Sequence, residues 1–441
     1  MPAPTAATVP GLNPDLAPLY EKVRAVLGAG AAALATRFVT ETMSRAARLL
    51  PDGTVFLVTG DIPAMWLRDS AAQVLPLLRL GEYGPGAADF AAAVLRRQLT
   101  CVTLDPYANA FNAGPDGLGH QRDLTTMNPY IWERKYEVDS LCYPLHLAER
   151  LWRHTGRTDV FDALYWHAVA RVIEVWETEQ DHENRSPYRF RRRFAHSDGT
   201  LARRGLGGPV AVSGLTWSGF RPSDDACRYG YHVPGNMFAS VVLADLPRIA
   251  EVAPPPPAVD PRLIERAARL HAAIDKGLRE HAVVADPVTG PRWAYEVDGL
   301  GGVLETDDAN VPSLLSLPRL GYCDREDPLY LATRAFVLSP RNPTYHRGTA
   351  AAGVGSPHTP KRHVWPIALA VAAMTEPDDD SGREARLAAV RTLLATRGGT
   401  DRIHESFHVD HPRTWTRRWF SWAEAMFCDL ALDCSGFPLS D

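Results

Sequence analysis

The sequence predicts an all-α fold, a closed ring of helical hairpins, on three observations. Apolar residues recur at helical spacing along almost the whole chain, strand-like alternation is scarce, and the segments between are long loops rich in Gly, Pro and Asn. The stripes run in order over 15–48, 68–80, 87–103, 138–154, 160–178, 235–252, 262–282, 311–320, 328–338, 363–374, 384–396 and 414–432, about a dozen helices. In one of them Leu263, Ala267, Leu270, Ile274 and Leu278 fall on a single helix face. The Pro254–Pro257 run separates two helical stretches without a change of composition, so it reads as a surface loop inside one domain, residues 1–441. No fixed-period repeat is present, which argues against a regular solenoid.

Composition narrows the function classes. The 441 residues are 45% apolar and 22% charged, as in an ordinary soluble globular protein. A net charge of −5 with scattered basic residues excludes a surface that tracks nucleic acid or an anionic membrane. The six Cys show no paired spacing and no neighbouring His, so they read as buried small hydrophobes in a reducing compartment. The first fifteen residues lack the charged and apolar regions of an export signal, and no stretch approaches ~18 unbroken apolar residues. A cytoplasmic chain, monomeric or weakly oligomeric, is expected.

Seven loop clusters together supply carboxylates, amides or Arg, and large rings or His: 59–69 with Trp66, Arg68 and Asp69; 105–112 with Tyr107 and Asn109; 132–139 with Glu133, Arg134 and Asp139; 217–225 with Arg221, Asp224 and Asp225; 306–310 with Asp308 and Asn310; 353–358 with His358; and 404–408 with Glu405 and His408. Carboxylates and Arg hydrogen-bond vicinal hydroxyls while flat rings cover a sugar's apolar face. One such cluster would be an ordinary helix cap or surface ion pair. Seven on one chain point to a carbohydrate site.

Glycoside hydrolysis needs a carboxylic acid for the leaving oxygen and a second carboxylate, which in an inverting enzyme activates water. Asp224 and Asp225 are adjacent carboxyls whose repulsion raises one of them, as a general acid requires, although a pair of helix caps after Pro222-Ser223 has the same appearance. Neighbouring residues point apart, so one of the two is the acid, with a slight preference for Asp224. Glu405, flanked by His404 and His408, is the candidate base. The same string, His404-Glu-Ser-Phe-His408, fits a zinc peptidase with Glu424 as third ligand. Fifteen His in 441 residues give about 0.5 pairs at that spacing by chance, and Pro412 favours a stop near His411, so zinc is the weaker reading.

Other motifs carry less. Asp307, Asp308 and Asn310 lack the Gly and distal Glu of a calcium loop, and a capped helix start explains Thr306-Asp307 as well. Gly353-Val-Gly-Ser has no following Lys or preceding strand for phosphate binding. Trp415, Trp419 and Trp422 have the spacing of a helix core stripe.

Read together, TGDIPAMWLRDS (59–70), PYANAFN (106–112), WERKYEVDSLCYP (132–144), SGFRPSDDA (218–226), DDANVPSL (307–314), GVGSPHTP (353–360) and HESFHVD (404–410) resemble the metal-independent exo-α-1,6-mannosidases of glycoside hydrolase family 125, from about Ala35 to Leu432. The resemblance implies an (α/α)6 barrel, inversion, removal of terminal α-1,6-linked mannose from α-mannosides or N-glycan-derived oligosaccharides, and no metal or cofactor. It places the acid in the Asp224–Asp225 pair and the base at Glu405; the other cluster residues named above are the candidates for binding the sugar. The Arg68-Asp69 pair is similar to the one with which glucoamylase-like enzymes hold a terminal sugar. His411 after Asp410 and the Pro-rich insertion near residue 255 depart from the family pattern without touching a candidate catalytic group.

Overall fold

The computed structural model describes residues 15–437 except 82–83, 85, 195–196 and 287–289. Gly28, at φ +82°, breaks the first predicted stripe in two, because a side chain in that conformation is strained. The result is α1 (Ala17–Leu27) and α2 (Ala29–Glu41), with 42–49 leaving the helix as a π-turn and a short strand. Then follow α3 (Leu67–Leu78), α4 (Ala87–Leu104), α5 (Val138–Thr155), α6 (Ala163–Glu179), α7 (Val233–Val252), α8 (Leu263–His281), α9 (Leu317–Leu320), α10 (Pro328–Val337), α11 (Pro366–Met374), α12 (Asp380–Ala395) and α13 (Ser421–Cys434).

These helices form two concentric rings. α3 packs on α5, α5 on α7, α7 on α9, the 3-10 turn Leu314–Ser316 on α11, α11 on α13, and α13 returns to α3. Outside them lie α2, α4, α6, α8, α10 and α12, with α1 against α2. This is the (α/α)6 barrel. Burial separates the rings: in α3 every residue but Leu75 is buried, whereas α8 buries the Leu263, Ala267, Leu270, Ile274 and Leu278 face predicted from its spacing. Apolar positions all round an inner helix have partners on both sides; an outer helix needs one stripe.

Two predicted helices are shorter than their stripes. The 311–320 stripe becomes the turn Leu314–Ser316 plus the single turn α9, with the Asp307 carboxylate accepting hydrogen bonds from the Leu314 and Leu315 amides. Asp307 is therefore a cap, and burial pushes its carboxyl up to about 8 against those two amides. The 414–432 stripe is helical only from Ser421, because 415–416 pair in a sheet.

The strands are two or three residues long and brace the loops. β1 (Met65–Trp66), β2 (Ala110–Phe111) and β3 (Ile131–Glu133) form one antiparallel sheet, and β4 (His363–Val364), β5 (Ser406–His408) and β6 (Trp415–Thr416) another. The 254–257 loop lies on the surface between α7 and α8. Among the described residues all six Cys are free thiols, and no helix is long and apolar enough to cross a membrane.

Candidate active site

Inner helices start at one mouth of the ring, and there the loop clusters meet. Trp66, Arg68 and Asp69 come from β1 and the first turn of α3, Trp365 and Phe420 immediately precede α11 and α13, and Trp422 sits on the first turn of α13. With Pro222, Ser223, Asp224, Asn310, His358, Glu405 and Arg417 they line a cavity of about 320 Å³. Helix N-termini favour anionic side chains, which helps to hold Asp69 and Asp139 at such positions.

Arg68 is the hub. Its guanidinium is buried and faces four carboxyls: Glu137 at 2.6 Å, Asp139 at 3.2 Å, Asp224 at 3.4 Å and Asp69 at 3.5 Å. Asp69 also accepts a hydrogen bond from the Thr59 hydroxyl, and burial raises its carboxyl although Arg68 opposes the rise. Burial likewise raises Asp139, to about 6, against the pull of Arg68. Four acids around one cation cannot all be ionised cheaply in so dry a place.

Asp224 is in the left-handed region, φ +66°, which turns its carboxyl into the cavity while that of Asp225 points behind it. Asp224 Oδ1 accepts from Asn109 Nδ2 at 3.1 Å, and its backbone carbonyl accepts from Lys135 Nζ at 2.6 Å. Asp225 instead pairs with His358 Nδ1 at 3.0 Å. Burial disfavours a charged His358, but the hydrogen bond and charge of Asp225, with Asp224 and Glu405 nearby, outweigh it and push the imidazole up to about 9. His358 is therefore a cation between the two acidic loci.

Glu405, the third candidate catalytic group, is buried just before β5. Burial raises its carboxyl, while Arg417, whose Nη1 lies 3.6 Å away, and His358 favour the ionised form. Arg417 is itself anchored to Asp61, Nε–Oδ1 2.9 Å.

Seven of the sequence-predicted site residues outside the cavity support or flank this arrangement. Asn109 and Asp139 lie behind Asp224 and Arg68, and Asp308 accepts from Asn310 Nδ2 at 2.7 Å. Glu133 contacts Asn109 and is held by Arg192 at 2.7 Å. Arg221 pairs with Glu296 at 2.5 Å, Tyr107 donates to Glu179 at 2.8 Å, and Arg134 grips Asp105 at 2.7 Å. These last three are frame residues, because their polar groups are used in pairs away from the cavity.

His408 does not line the cavity either. It lies on β5 opposite His363, stacked near His411. The zinc reading fails on the same geometry: 406–408 is strand, not helix, so the two His of the string do not share a helix face. The His404 ring stacks on Trp415 at 4.1 Å and meets the Thr400 hydroxyl at 2.9 Å, and Glu424 is paired with Arg402 at 3.0 Å and Arg37 at 3.1 Å. Among the described residues no group of three His, Cys, Asp or Glu side chains is placed to hold a metal ion.

The tryptophans divide rather than forming one helical stripe. Trp415 stacks on His404, Trp419 lies under Arg45 at 4.0 Å, and Trp422 reaches the cavity floor with Arg68 5.4 Å from its ring. Gly353 belongs to a β-hairpin instead of a phosphate loop; a Cβ on Gly355 beside it would strike the His363 carbonyl at 2.2 Å. Sequence reasoning missed Glu137, Lys135, Trp365, Arg417 and Phe420. The first two lie inside a quoted cluster, so their polarity was visible and only the direction of their side chains was not.

Residues 30–432 match the family of metal-independent alpha-mannosidases, GH125. A Streptococcus pneumoniae protein from a family of widely distributed metal-independent alpha mannosidases, solved as a non-productive substrate complex with α-1,6-mannobiose, is 43% identical with a TM-score of 0.91, over 95% of this chain and 97% of that one. The meiotically up-regulated gene 157 protein of Schizosaccharomyces pombe is 38% identical over 396 residues, 86% of this chain and 76% of the relative. A bacterial glucoamylase solved with acarbose, 15% identical with a TM-score of 0.52 over 86% of this chain and 50% of that one, shares the fold alone.

Proposed function

Because the chain belongs to the metal-independent α-mannosidases of family GH125, and is thus a glycoside hydrolase, we propose that it removes terminal α-1,6-linked mannose from oligosaccharides with inversion at C1. The observation that carries this reading is that Asp224 and Glu405, 181 positions apart by their numbers, line one cavity. Asp224 is the general acid and Glu405 the general base. The related streptococcal protein was captured with α-1,6-mannobiose, which supports that linkage as the substrate here.

The chemistry follows from the placement of charge. Glu405, whose ionised form Arg417 and His358 favour against its burial, takes a proton from water as the water oxygen bonds to C1. The C1–O bond breaks with its electron pair going to the glycosidic oxygen, which receives a proton from Asp224. Inversion needs the two carboxyls about 6.5–9.5 Å apart with a water between. Arg68 and Asn310 are polar groups for hydroxyls, and Trp66, Trp365, Phe420 and Trp422 supply flat apolar surface for the ring. Exo action, removal of the terminal residue, belongs to the same reading.

The test is mannose release from α-1,6-mannobiose by the purified protein. Glu405→Gln should lower kcat by about 10²–10⁴-fold with unchanged melting behaviour. No hydrolysis of the disaccharide by the wild type, or near-normal turnover by the variant, contradicts the reading.

A further inference from the structure

Behind the candidate acid lies a second carboxyl that the reaction so far does not use. Glu137 precedes α5, has a side chain with no exposed area and does not line the cavity. Its Oε2 accepts from Arg68 Nη1 at 2.6 Å and from the Ser140 hydroxyl at 2.8 Å, and its Oε1 accepts from Asn109 Nδ2 at 3.2 Å. The same Asn109 nitrogen lies 3.1 Å from Asp224 Oδ1, and the same guanidinium 3.4 Å from it. The Asn109 amide cannot be turned round, because its carbonyl accepts from the Lys135 backbone N–H at 3.2 Å. One amide and one guanidinium thus hold two carboxyls together, close enough to hydrogen-bond to each other.

We propose that Glu137 is a positioning residue that stores the proton for Asp224, the two carboxyls sharing one proton across the hydrogen bond between them. The proposal rests on the reading of Asp224 as the general acid. Two carboxylates in contact cannot both ionise without strong repulsion, and the pair lies among the four carboxyls around Arg68. The charged groups around Glu137 and the amide it shares are Arg68 from α3, Asp139 from α5, Glu133 from β3, which also accepts from Asn109 Nδ2, and Asp224 from its loop with Lys135 beside it; the Tyr188 hydroxyl and Cys227 thiol that also face it are neutral. Burial pushes Glu137 well above the usual carboxylate range, and Asp224 and Asp139 add to this against Arg68. Asp224 is half-buried, and although desolvation opposes its ionisation, Lys135, the hydrogen bond from Glu137 and Arg68 hold it low. The proton at rest is therefore on the inner, solvent-free member.

In the reaction the proton moves from Glu137 to Asp224, and from Asp224 to the glycosidic oxygen as that oxygen takes the C1–O electron pair. Water supplies the hydroxyl to C1 and its proton to Glu405. Solvent then removes the proton from Glu405 and returns one to the pair, so the net change is addition of one water.

Glu137→Gln tests this. The amide is nearly isosteric and donates to Asp224 without storing a proton, so Asp224 ionises at lower pH. The basic limb of the kcat/KM profile on α-1,6-mannobiose should move acidward by about one unit or more. At neutral pH kcat/KM should fall by about 10²-fold. Hydrolysis of α-mannosyl fluoride, whose leaving group needs no proton, should stay near wild type. An unmoved basic limb, or equal losses on both substrates, overturns the proposal. Asp224→Asn in the same assays isolates the underlying reading: if it hydrolyses the disaccharide normally, the acid assignment fails, whereas a leaving-group-selective loss in Asp224→Asn with a wild-type profile in Glu137→Gln sinks Glu137 alone. Should Glu137→Gln not fold, Glu137→Ala, which also removes the carboxyl, reads the same limb, an acidward shift supporting the store and an unmoved limb contradicting it.

Discussion

Arg68 Nη2 lies 3.4 Å from Asp224 Oδ1, joining the first turn of an inner helix to a loop 156 positions away. That contact ties the sugar-facing acid to the frame of the ring and sets its electrostatics. Asp224 sits in a left-handed backbone conformation that costs little for Asp or Asn and more for most other residues.

Asp224→Asn should therefore keep the fold while kcat on α-1,6-mannobiose falls by about 10²–10⁴-fold. Asp225→Asn should act differently. It removes the partner that keeps His358 charged, so its main effect is on the pH dependence of binding. Steady-state kinetics of both variants across pH distinguish them, and equal losses in kcat would contradict the division of roles.

Arg417 favours the ionised Glu405 that lies 3.6 Å from its Nη1. Arg417→Met removes that charge, so Glu405 should take up a proton at higher pH. The acidic limb of the kcat/KM profile should then move toward neutrality. A shift in the opposite direction would show that Arg417 does not act on this carboxyl.

His358 is pushed up to about 9 by Asp225, above an ordinary histidine near 6.5. A raised folded value means that the stabilisation is full below about 6.5 and is lost as pH climbs through 9. Urea unfolding should show wild-type stability declining across that window more steeply than that of His358→Gln. Parallel curves would remove His358 as the titrating group.

Glu424 is held by Arg402 and Arg37, both partly or wholly buried. Glu424→Ala leaves Arg402 with Glu41 and Arg37 with Asp401 as their remaining partners, so it should cost about 1–3 kcal/mol in denaturant unfolding. Treatment with a chelator should leave both turnover and stability unchanged. Loss of activity on chelation, restored by zinc, would reverse the assignment of this cluster.

The ring of helices was legible because outer helices carry an apolar stripe at 3.6-residue spacing, as at Leu263 to Leu278, and inner helices keep apolar residues at that spacing among others all round. What escaped were changes decided by tertiary partners. Gly28 splits a continuous stripe, Asp307 caps a turn the pattern reads as a full helix, and strand pairing takes Trp415 and Thr416 out of α13. In the site, residue types identified the clusters, but only the fold separates Asp224, which faces the cavity, from Asp225, which faces His358. Likewise nothing in spacing distinguishes Tyr107 and Arg134, spent on frame pairs, from Arg68. Glu137 is silent in sequence because its importance lies in sharing Asn109 and Arg68 with a residue from a distant loop.

The central claim is that Asp224 and Glu405 act from opposite sides of the glycosidic bond with a water between them. Proton NMR of the mannose first released from α-1,6-mannobiose, followed before mutarotation, reads this directly. The account predicts β-mannose as the initial product; α-mannose appearing first would contradict it.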